Sequence, residues 1–199
     1  MKKQILIIHG ADAFSTYEDF LESLGTWPVL EPYDGKKKKW KEDFAEKLMN
    51  DYDVYFPLMP NKQNAKYEEW KIWFERHFEV IRDGVVLIGH SQGGYFLAKY
   101  LTEDSLPFHP VALYLIAAPI GPDDFDGGDF AFDVTKLPGI AAKVGKIFIL
   151  HSKDDPVVPY SHALRYKESL PEATLMTFED KGHFLIEEFP ELIESVRGL

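Results

Sequence analysis

Short apolar runs and longer amphipathic segments alternate along the whole chain. Near-continuous apolar runs, which are typical of buried strands in a parallel sheet, occupy residues 4–8, 53–58, 85–88, 111–116, 146–150 and 174–178. Between them, apolar residues recur at helical spacing over residues 17–24, 36–49, 64–81, 92–101, 161–170 and 184–196. Strands that alternate with helices predict a single α/β domain over residues 1–199, with about six mostly parallel strands and helices on both faces of the sheet.

The stretch from 117 to 145 interrupts this alternation with prolines and glycines. A connection of this length inside a compact domain is usually functional, so we predict a small cap-like insert at about 117–145. Its sequence DDFDGGD brings together Asp123, Asp124, Asp126 and Asp129. Their spacing does not match an EF-hand loop, so a solvated acidic loop is predicted in preference to a calcium site, and no metal site is expected.

Charge and cysteine content exclude several classes of protein. The 199 residues carry a formal net charge of −11, which argues against nucleic acid or an anionic membrane surface as a partner. The lysine run at 36–39 is interpreted as a solvated helix face rather than a basic patch. The absence of cysteine excludes disulfides, thiol catalysis and cysteine-ligated metals. No apolar stretch is long enough for a membrane span or a signal peptide, so we expect a cytoplasmic protein.

The most informative stretch is VVLIGHSQGG, residues 85–94. It predicts a buried strand, then a turn with the pattern G-x-S-x-G, then a helix. A serine in such a turn lies on a sharp, strained bend that exposes its hydroxyl at the carboxyl edge of the sheet. Gly89 and Gly93 flank Ser91 because side chains there would collide as the strand and helix approach. This context favours Ser91 as a nucleophile over an idle serine in a glycine-rich turn.

Two further predicted strands carry reactive residues at their carboxyl ends. The run HSKDDPVVP follows the strand at 146–150 and offers two carboxylates, Asp154 and Asp155. Pro156 biases Asp155 towards an extended backbone and so favours it over Asp154 as the residue that reaches a histidine; a turn or capping role is the alternative for both. His183 follows the last predicted strand. The resulting chain order of Ser, Asp and His is that of α/β-hydrolases.

These motifs together resemble a known family. The segments IIHG, GHSQGG, HSKDDPVVPYSHA and KGHF are similar to motifs of compact α/β-hydrolases, in the group of small serine hydrolases that includes the retinoblastoma-binding hydrolase and its bacterial relatives. The resemblance extends from residue 3 to residue 188. It implies the compact α/β-hydrolase fold, with Ser91 as nucleophile, His183 as base and Asp155 as the carboxylate that orients the base. The retinoblastoma-binding motif needs a cysteine that this chain lacks, so that partner is not implied.

The chemistry implied by this resemblance needs an oxyanion hole. The backbone amide of Gln92, which follows the nucleophile, is predicted to supply one donor, and the amide of Ala11 after Gly10 is predicted to supply the other. A plain turn is the alternative interpretation of His9 and Gly10. His90, inside the motif, is interpreted as structural. No cofactor is expected.

The predicted function is therefore that of a serine hydrolase, which forms an acyl-enzyme on small carboxylic esters, thioesters or amides. The alternatives are an acyltransferase that uses the same acyl-enzyme, or a binding protein that keeps the triad without turnover. Candidate aromatic residues for the substrate pocket are Phe14, Trp70, Phe125, Phe130 and Phe132. Core packing explains the first two equally well. We expect the insert at 117–145 to fold its aromatic rings over a bound acyl group and to favour short acyl chains.

Overall fold

A six-stranded sheet forms the centre of the protein. The computed structural model describes residues 1–29, 39–121 and 127–199. The strands are β1 (Lys3–Ile8), β2 (Tyr52–Tyr55), β3 (Val86–His90), β4 (Ala112–Ile116), β5 (Lys146–Ser152) and β6 (Thr174–Phe178). They lie in the order β2-β1-β3-β4-β5-β6, and every neighbouring pair is parallel. The predicted parallel α/β sheet is therefore confirmed.

Helices cover both faces of this sheet. In the described ranges they are α1 (Tyr17–Thr26), α2 (Trp40–Leu48), α3 (Tyr67–Arg76), α4 (Gln92–Glu103), α5 (Ser161–Ser169) and α6 (Pro190–Arg197). Apolar residues of α3, α4 and α5 pack on one face, and those of α2 and α6 pack on the other. Successive strand residues, such as Leu6 and Ile7 of β1, point to opposite faces and are both buried, which explains the continuous apolar runs. Within the described ranges, no helix is long and apolar enough to cross a bilayer.

The start of the closing helix differs from the sequence-based expectation. The pattern predicts a helix over 184–196, whereas α6 begins at Pro190. Proline suits the first turn of a helix but disfavours helical geometry in the residue before it, and Phe189 accordingly has a non-helical backbone. Phe184 and Phe189 are fully buried outside the helix, in the core on the α2 and α6 side. Apolar spacing alone therefore overestimates the length of α6.

The stretch 117–145 is more regular than predicted in the part that the structure describes. It contains 3-10 turns at Gly128–Phe130 and Val134–Ala142. The second of these packs against α4 and α5, with Leu137 and Ile140 buried in the core. This part of the stretch is therefore an integral layer over α4 rather than an irregular loop.

The acidic run in this stretch has one described member, Asp129. Its carboxylate accepts a hydrogen bond of 3.0 Å from the Tyr67 amide at the start of α3. Asp129 therefore caps a helix, a role that the sequence-based picture of a solvated acidic loop did not include. The other three aspartates lie outside the described residues: Asp123, Asp124 and Asp126.

The turn between β3 and α4 depends on residues without side chains. A Cβ atom on Gly93 would lie 2.3 Å from the carbonyl oxygen of Ile8 and 2.7 Å from that of His9. A Cβ atom on Gly89 would lie 2.5 Å from the Cα atom of Gly94. Backbone atoms inside a sheet cannot move away to relieve such contacts. Glycine at both positions therefore allows α4 to begin directly against β1 and β3.

We predict that Gly93→Ala destabilises the protein by about 3 kcal/mol or more, because overpacking costs about 1–3 kcal/mol even where neighbouring atoms can shift. Urea unfolding followed by circular dichroism measures the effect. Gly25→Ala is the matched control, since Gly25 lies in α1 and a Cβ atom there would have no heavy atom within 4 Å. The control should be neutral or slightly stabilising. A Gly93→Ala protein as stable as the wild type would contradict the close contact.

Candidate active site

Ser91 lies at the sharp turn between β3 and α4. Its φ and ψ angles are 54° and −124°, in a region that residues with a side chain rarely adopt. The Ser91 amide donates to the carbonyl oxygen of Ile116 at 2.8 Å, which ties the turn to the end of β4. The loop after β1 approaches closely, because a Cβ atom on Gly10 would lie 3.1 Å from the Ser91 Cβ. Ser91 is consequently only 7% exposed.

His183 and Asp155 form a hydrogen-bonded pair at the same edge of the sheet. The Nδ1 atom of His183 lies 2.8 Å from Oδ2 and 3.0 Å from Oδ1 of Asp155. The Asp155 side chain is fully buried, and its Oδ1 also accepts the amides of Val157 at 2.8 Å and Val158 at 3.0 Å. Burial raises the pKa of the Asp155 carboxyl, but the hydrogen bonds from His183 and the two amides outweigh burial and hold this pKa below its usual value. An ionised Asp155 therefore keeps the proton on Nδ1 of His183, which leaves Nε2 as the basic nitrogen.

Asp154 has different partners from its neighbour in the sequence. Its Oδ1 accepts hydrogen bonds from the Ser152 hydroxyl at 2.5 Å and from the Gly182 amide at 2.9 Å. The Ser152 hydroxyl oxygen in turn accepts the Lys181 amide at 2.9 Å. Asp154 therefore braces the backbone of the loop that carries His183, while the following aspartate contacts the imidazole.

The loop around His183 has an unusual backbone. Gly182 before it and Phe184 after it have φ angles of 52° and 54°. The left-handed conformation is strained for a phenylalanine, and burial of the Phe184 ring holds it in place. That ring is fully buried, with centroid distances of 5.5 Å to Phe178 and 5.2 Å to Phe189. The aromatic core thus fixes the direction in which the loop presents His183.

Two further histidines at this edge are neutral and have fixed tautomers. His90 donates from Nε2 to the His183 carbonyl oxygen at 2.9 Å, so its Nδ1 accepts, and the Nζ atom of Lys41 lies 3.3 Å from that nitrogen. His9 accepts the Met59 amide at Nε2 and donates from Nδ1 to the carbonyl oxygen of the next residue, both at 2.8 Å. Burial lowers the pKa of His9 and lowers that of His90 well below its usual value. Both rings therefore hold loops in place, and the structural interpretation of His90 agrees with these contacts.

A cavity of about 800 Å³ opens at this edge of the sheet. Among the predicted site residues, those that line it are Ser91, His183, Ala11 and Phe14. Its exposed apolar lining residues are Phe56, Leu58, Val157 and Leu185. Its charged lining residues, apart from the histidines, are Lys39, Lys41, Lys62, Asp12 and Glu42. Sequence analysis did not identify Lys41, because contacts with residues distant in the sequence, His90 and Phe56, distinguish it from the other lysines of its segment.

The remaining described aromatic candidates lie in the core. Trp70 and Phe130 are fully buried with their ring centroids 5.3 Å apart, and Phe132 packs against Tyr95 with centroids 5.7 Å apart. Trp70, Phe130 and Phe132 do not line the cavity. This corrects the pocket assignment of Phe130 and Phe132, and for Trp70 it agrees with the alternative of core packing. Burial of a large apolar side chain contributes about 1.5–3 kcal/mol, so such rings enter the nearest core unless packing excludes them.

The described part of the predicted cap lies away from the cavity. In the described part of 117–145, no residue lines the cavity. Phe125, the remaining aromatic candidate, lies outside the described residues. A cap formed at that position stays a prediction.

Comparisons with known proteins concern the family and the fold. A family model described as serine hydrolase matches residues 32–195. The serine hydrolase RBBP9 of Rattus norvegicus is 26% identical over 144 residues, which cover 71% of this chain and 74% of RBBP9. YdeN of Bacillus subtilis (strain 168), named as a hydrolase, is 26% identical over 195 residues, which cover 94% of this chain and 89% of YdeN.

Solved structures share the fold. The crystal structure of the B. subtilis ydeN gene product matches with a TM-score of 0.75 and 19% identity, over 99% of this chain and 98% of the other. A meta-cleavage product hydrolase from Pseudomonas fluorescens IP01 matches with a TM-score of 0.69 and 16% identity, over 98% of this chain and 89% of the other. At these identities the likeness concerns the α/β-hydrolase fold alone.

We predict that Phe130→Ala destabilises the protein by about 3–5 kcal/mol, as truncation of a fully buried ring does. Phe14→Ala is the matched control, because the Phe14 ring is only partly buried and lines the cavity. Its effect on the free energy of unfolding in urea should be much smaller. Equal losses in the two variants would contradict the assignment of Phe130 to the core and Phe14 to the cavity wall.

Proposed function

Since this chain belongs to the serine hydrolase family, whose model matches residues 32–195, we propose that it cleaves small carboxylic esters, thioesters or amides through an acyl-enzyme formed on Ser91. The proposal rests on one observation: Ser91 and His183 line the same cavity, and His183 is hydrogen-bonded to Asp155. A volume of about 800 Å³ lies within the range of small-molecule sites.

The proposed reaction begins with proton transfer from Ser91 to His183. As the Ser91 Oγ attacks the carbonyl carbon of the substrate, Nε2 of His183 takes the hydroxyl proton, and the Asp155 carboxylate stabilises the imidazolium. The imidazolium then protonates the leaving alcohol, thiol or amine, and an acyl-enzyme is left on Ser91. In the second half, His183 removes a proton from water as the water attacks the acyl carbon. The tetrahedral intermediate so formed then collapses, His183 returns its proton to the Ser91 Oγ, and the acid is released.

The oxyanion formed in each half needs fixed donors, and two backbone amides are proposed for this role. Gln92 is the first residue of α4, so its N–H has no acceptor within the helix. The positive end of the α4 dipole adds to this potential. Ala11 follows Gly10 in the loop that approaches Ser91, and it lines the cavity. Both donors are held by the backbone and need no rearrangement during the reaction.

Ser91→Ala should abolish both labelling by a fluorophosphonate probe and turnover of para-nitrophenyl acetate, because the variant lacks the oxygen that both reactions acylate or phosphonylate. Its melting temperature should stay close to that of the wild type. Ser161→Ala, which alters an exposed serine at the start of α5, is the control and should label normally. Labelling of Ser91→Ala at the wild-type rate would overturn the nucleophile assignment.

Asp155→Asn should lower kcat by about 10⁴-fold, the loss seen when the aspartate of a triad becomes an amide and the histidine takes the wrong tautomer. Asp154→Asn keeps an oxygen that can accept the loop hydrogen bonds and should lower kcat far less. The ratio of the two kcat values is the measurement. A larger loss in Asp154→Asn would reverse the assignment of the two carboxylates.

A further inference from the structure

Lys41 lies in the active-site cavity and is held there by its surroundings. It is in the first turn of α2, and its Nζ atom lies 3.3 Å from Nδ1 of His90. Because the other nitrogen of His90 donates to the His183 carbonyl, Nδ1 can only accept, and the ammonium of Lys41 is the donor. The ammonium also lies over two aromatic rings, 5.0 Å from the centroid of Trp40 and 5.9 Å from that of Phe56.

No carboxylate of the described residues forms an ion pair with the Lys41 ammonium, and the nearest acidic influence is a Coulombic attraction to Glu42. The carboxylate of Glu42, its neighbour in the chain, instead accepts the Lys39 amide at 3.1 Å. Burial, with a smaller contribution from Lys39, lowers the pKa of Lys41 to about 8, and the attraction to Glu42 offsets only part of this shift. A desolvated cation without a partner is unfavourable, and an anion placed beside it removes that penalty.

The position of Lys41 relative to Ser91 suits substrate recognition. A Cβ atom on Gly10 would lie 3.1 Å from the Ser91 Cβ and 3.5 Å from Nδ1 of His90, so the acceptor of the Lys41 hydrogen bond and the Ser91 side chain border the same small space. An ammonium has three N–H donors, and His90 uses one of them. The other donors can reach a group bound in the cavity.

The charged residues that line the cavity also favour an anionic ligand. Lys39, Lys41 and Lys62 line it against two carboxylates, Asp12 and Glu42, whereas the whole chain has a formal net charge of −11. The described lining is therefore less negative than the chain as a whole, which favours an anion in the cavity over one elsewhere on the surface.

We propose that Lys41 binds a carboxylate on the substrate, so that the ester or amide cleaved at Ser91 belongs to a molecule with a second, anionic group. This inference rests on the hydrolase function proposed above. Lys41 is assigned here to recognition of the substrate, and no proton transfer is assigned to it.

The test compares paired substrates that differ in one charge. The acyl-side pair is the para-nitrophenyl half-ester of adipic acid and its methyl ester. The leaving-group pair is para-acetoxybenzoate and its methyl ester. For each pair, the ratio of kcat/KM for the anionic member to kcat/KM for the neutral member is measured in the wild type and in Lys41→Met. In the variant, this ratio should fall about tenfold or more for one of the two pairs, because a charge-assisted hydrogen bond is lost. The pair that is affected shows which side of the scissile bond carries the carboxylate.

Lys47→Met is the matched control, because it removes the same charge from the same helix at an exposed position outside the cavity. Its ratios should equal those of the wild type. If Lys41→Met leaves both ratios unchanged, or lowers kcat/KM for the anionic and neutral members equally, the recognition proposal is wrong. Lys41→Arg, which keeps the charge, should retain most of the wild-type ratio.

A binding measurement separates this proposal from the hydrolase function. Calorimetry with Ser91→Ala compares monomethyl adipate with dimethyl adipate, and then repeats the comparison with Lys41→Met added. Tighter binding of the anion that disappears with Lys41→Met supports recognition even if no ester is cleaved. Equal binding of the two compounds, in a protein whose wild-type form cleaves esters, overturns recognition and leaves the hydrolase function standing.

The preference should also depend on pH in the wild type. Lys41 is charged below its pKa of about 8, so the anionic-to-neutral ratio should be highest below pH 8 and fall as the pH rises through this value. Any effect of pH on the steps that both members of a pair share, including those through His183, cancels in the ratio. Other charged or titratable groups that face Lys41 or share its cavity are His9, His90, Lys39, Lys62, Asp12 and Glu42. Persistence of the pH dependence in Lys41→Met would assign it to one of these groups and contradict the role of Lys41.

Discussion

The site depends on a contact between backbones that only glycine allows. Gly93 lies so close to the carbonyl oxygens at the end of β1 that a single carbon atom there would overlap them. A Cβ atom on Gly89 would likewise overlap the backbone of Gly94, and one on Gly10 would lie tightly against the Ser91 Cβ. These contacts bring β1, β3 and the first turn of α4 together, and the surroundings then hold Ser91 at a positive φ angle that it would not adopt alone.

Buried hydrogen bonds form a second layer of organisation. Two adjacent aspartates directly after β5 have separate roles. Asp155 contacts the His183 imidazole, and Asp154 accepts a hydrogen bond from the backbone of the loop that contains His183. His90 binds the same loop through the His183 carbonyl. Because the polar groups in this network have partners, burial favours one arrangement of the loop instead of several.

The histidines of the cavity and Lys41 differ in charge. His9 and His90 are neutral and serve as fixed donors and acceptors. Lys41 differs from them, because burial lowers its pKa only to about 8 and the side chain therefore keeps its charge at neutral pH. Apolar side chains at the mouth, such as Leu58 and Leu185, surround this polar interior and suit a substrate with both apolar and polar portions.

The sequence by itself determined the features that depend on local geometry. Apolar runs without alternation predict a sheet buried on both faces, and glycines around a serine predict the turn that holds Ser91. Pro156 favours Asp155, and in the structure Asp155 is the aspartate that contacts His183. Only the tertiary structure decided the surroundings. The sequence around Phe130 does not reveal whether its ring packs in a core or lines a pocket. The ring packs against Trp70, which lies on a helix distant in the sequence. Lys41 acquires its character from His90 and Phe56, which lie on other segments, so no local pattern distinguishes it from an ordinary surface lysine.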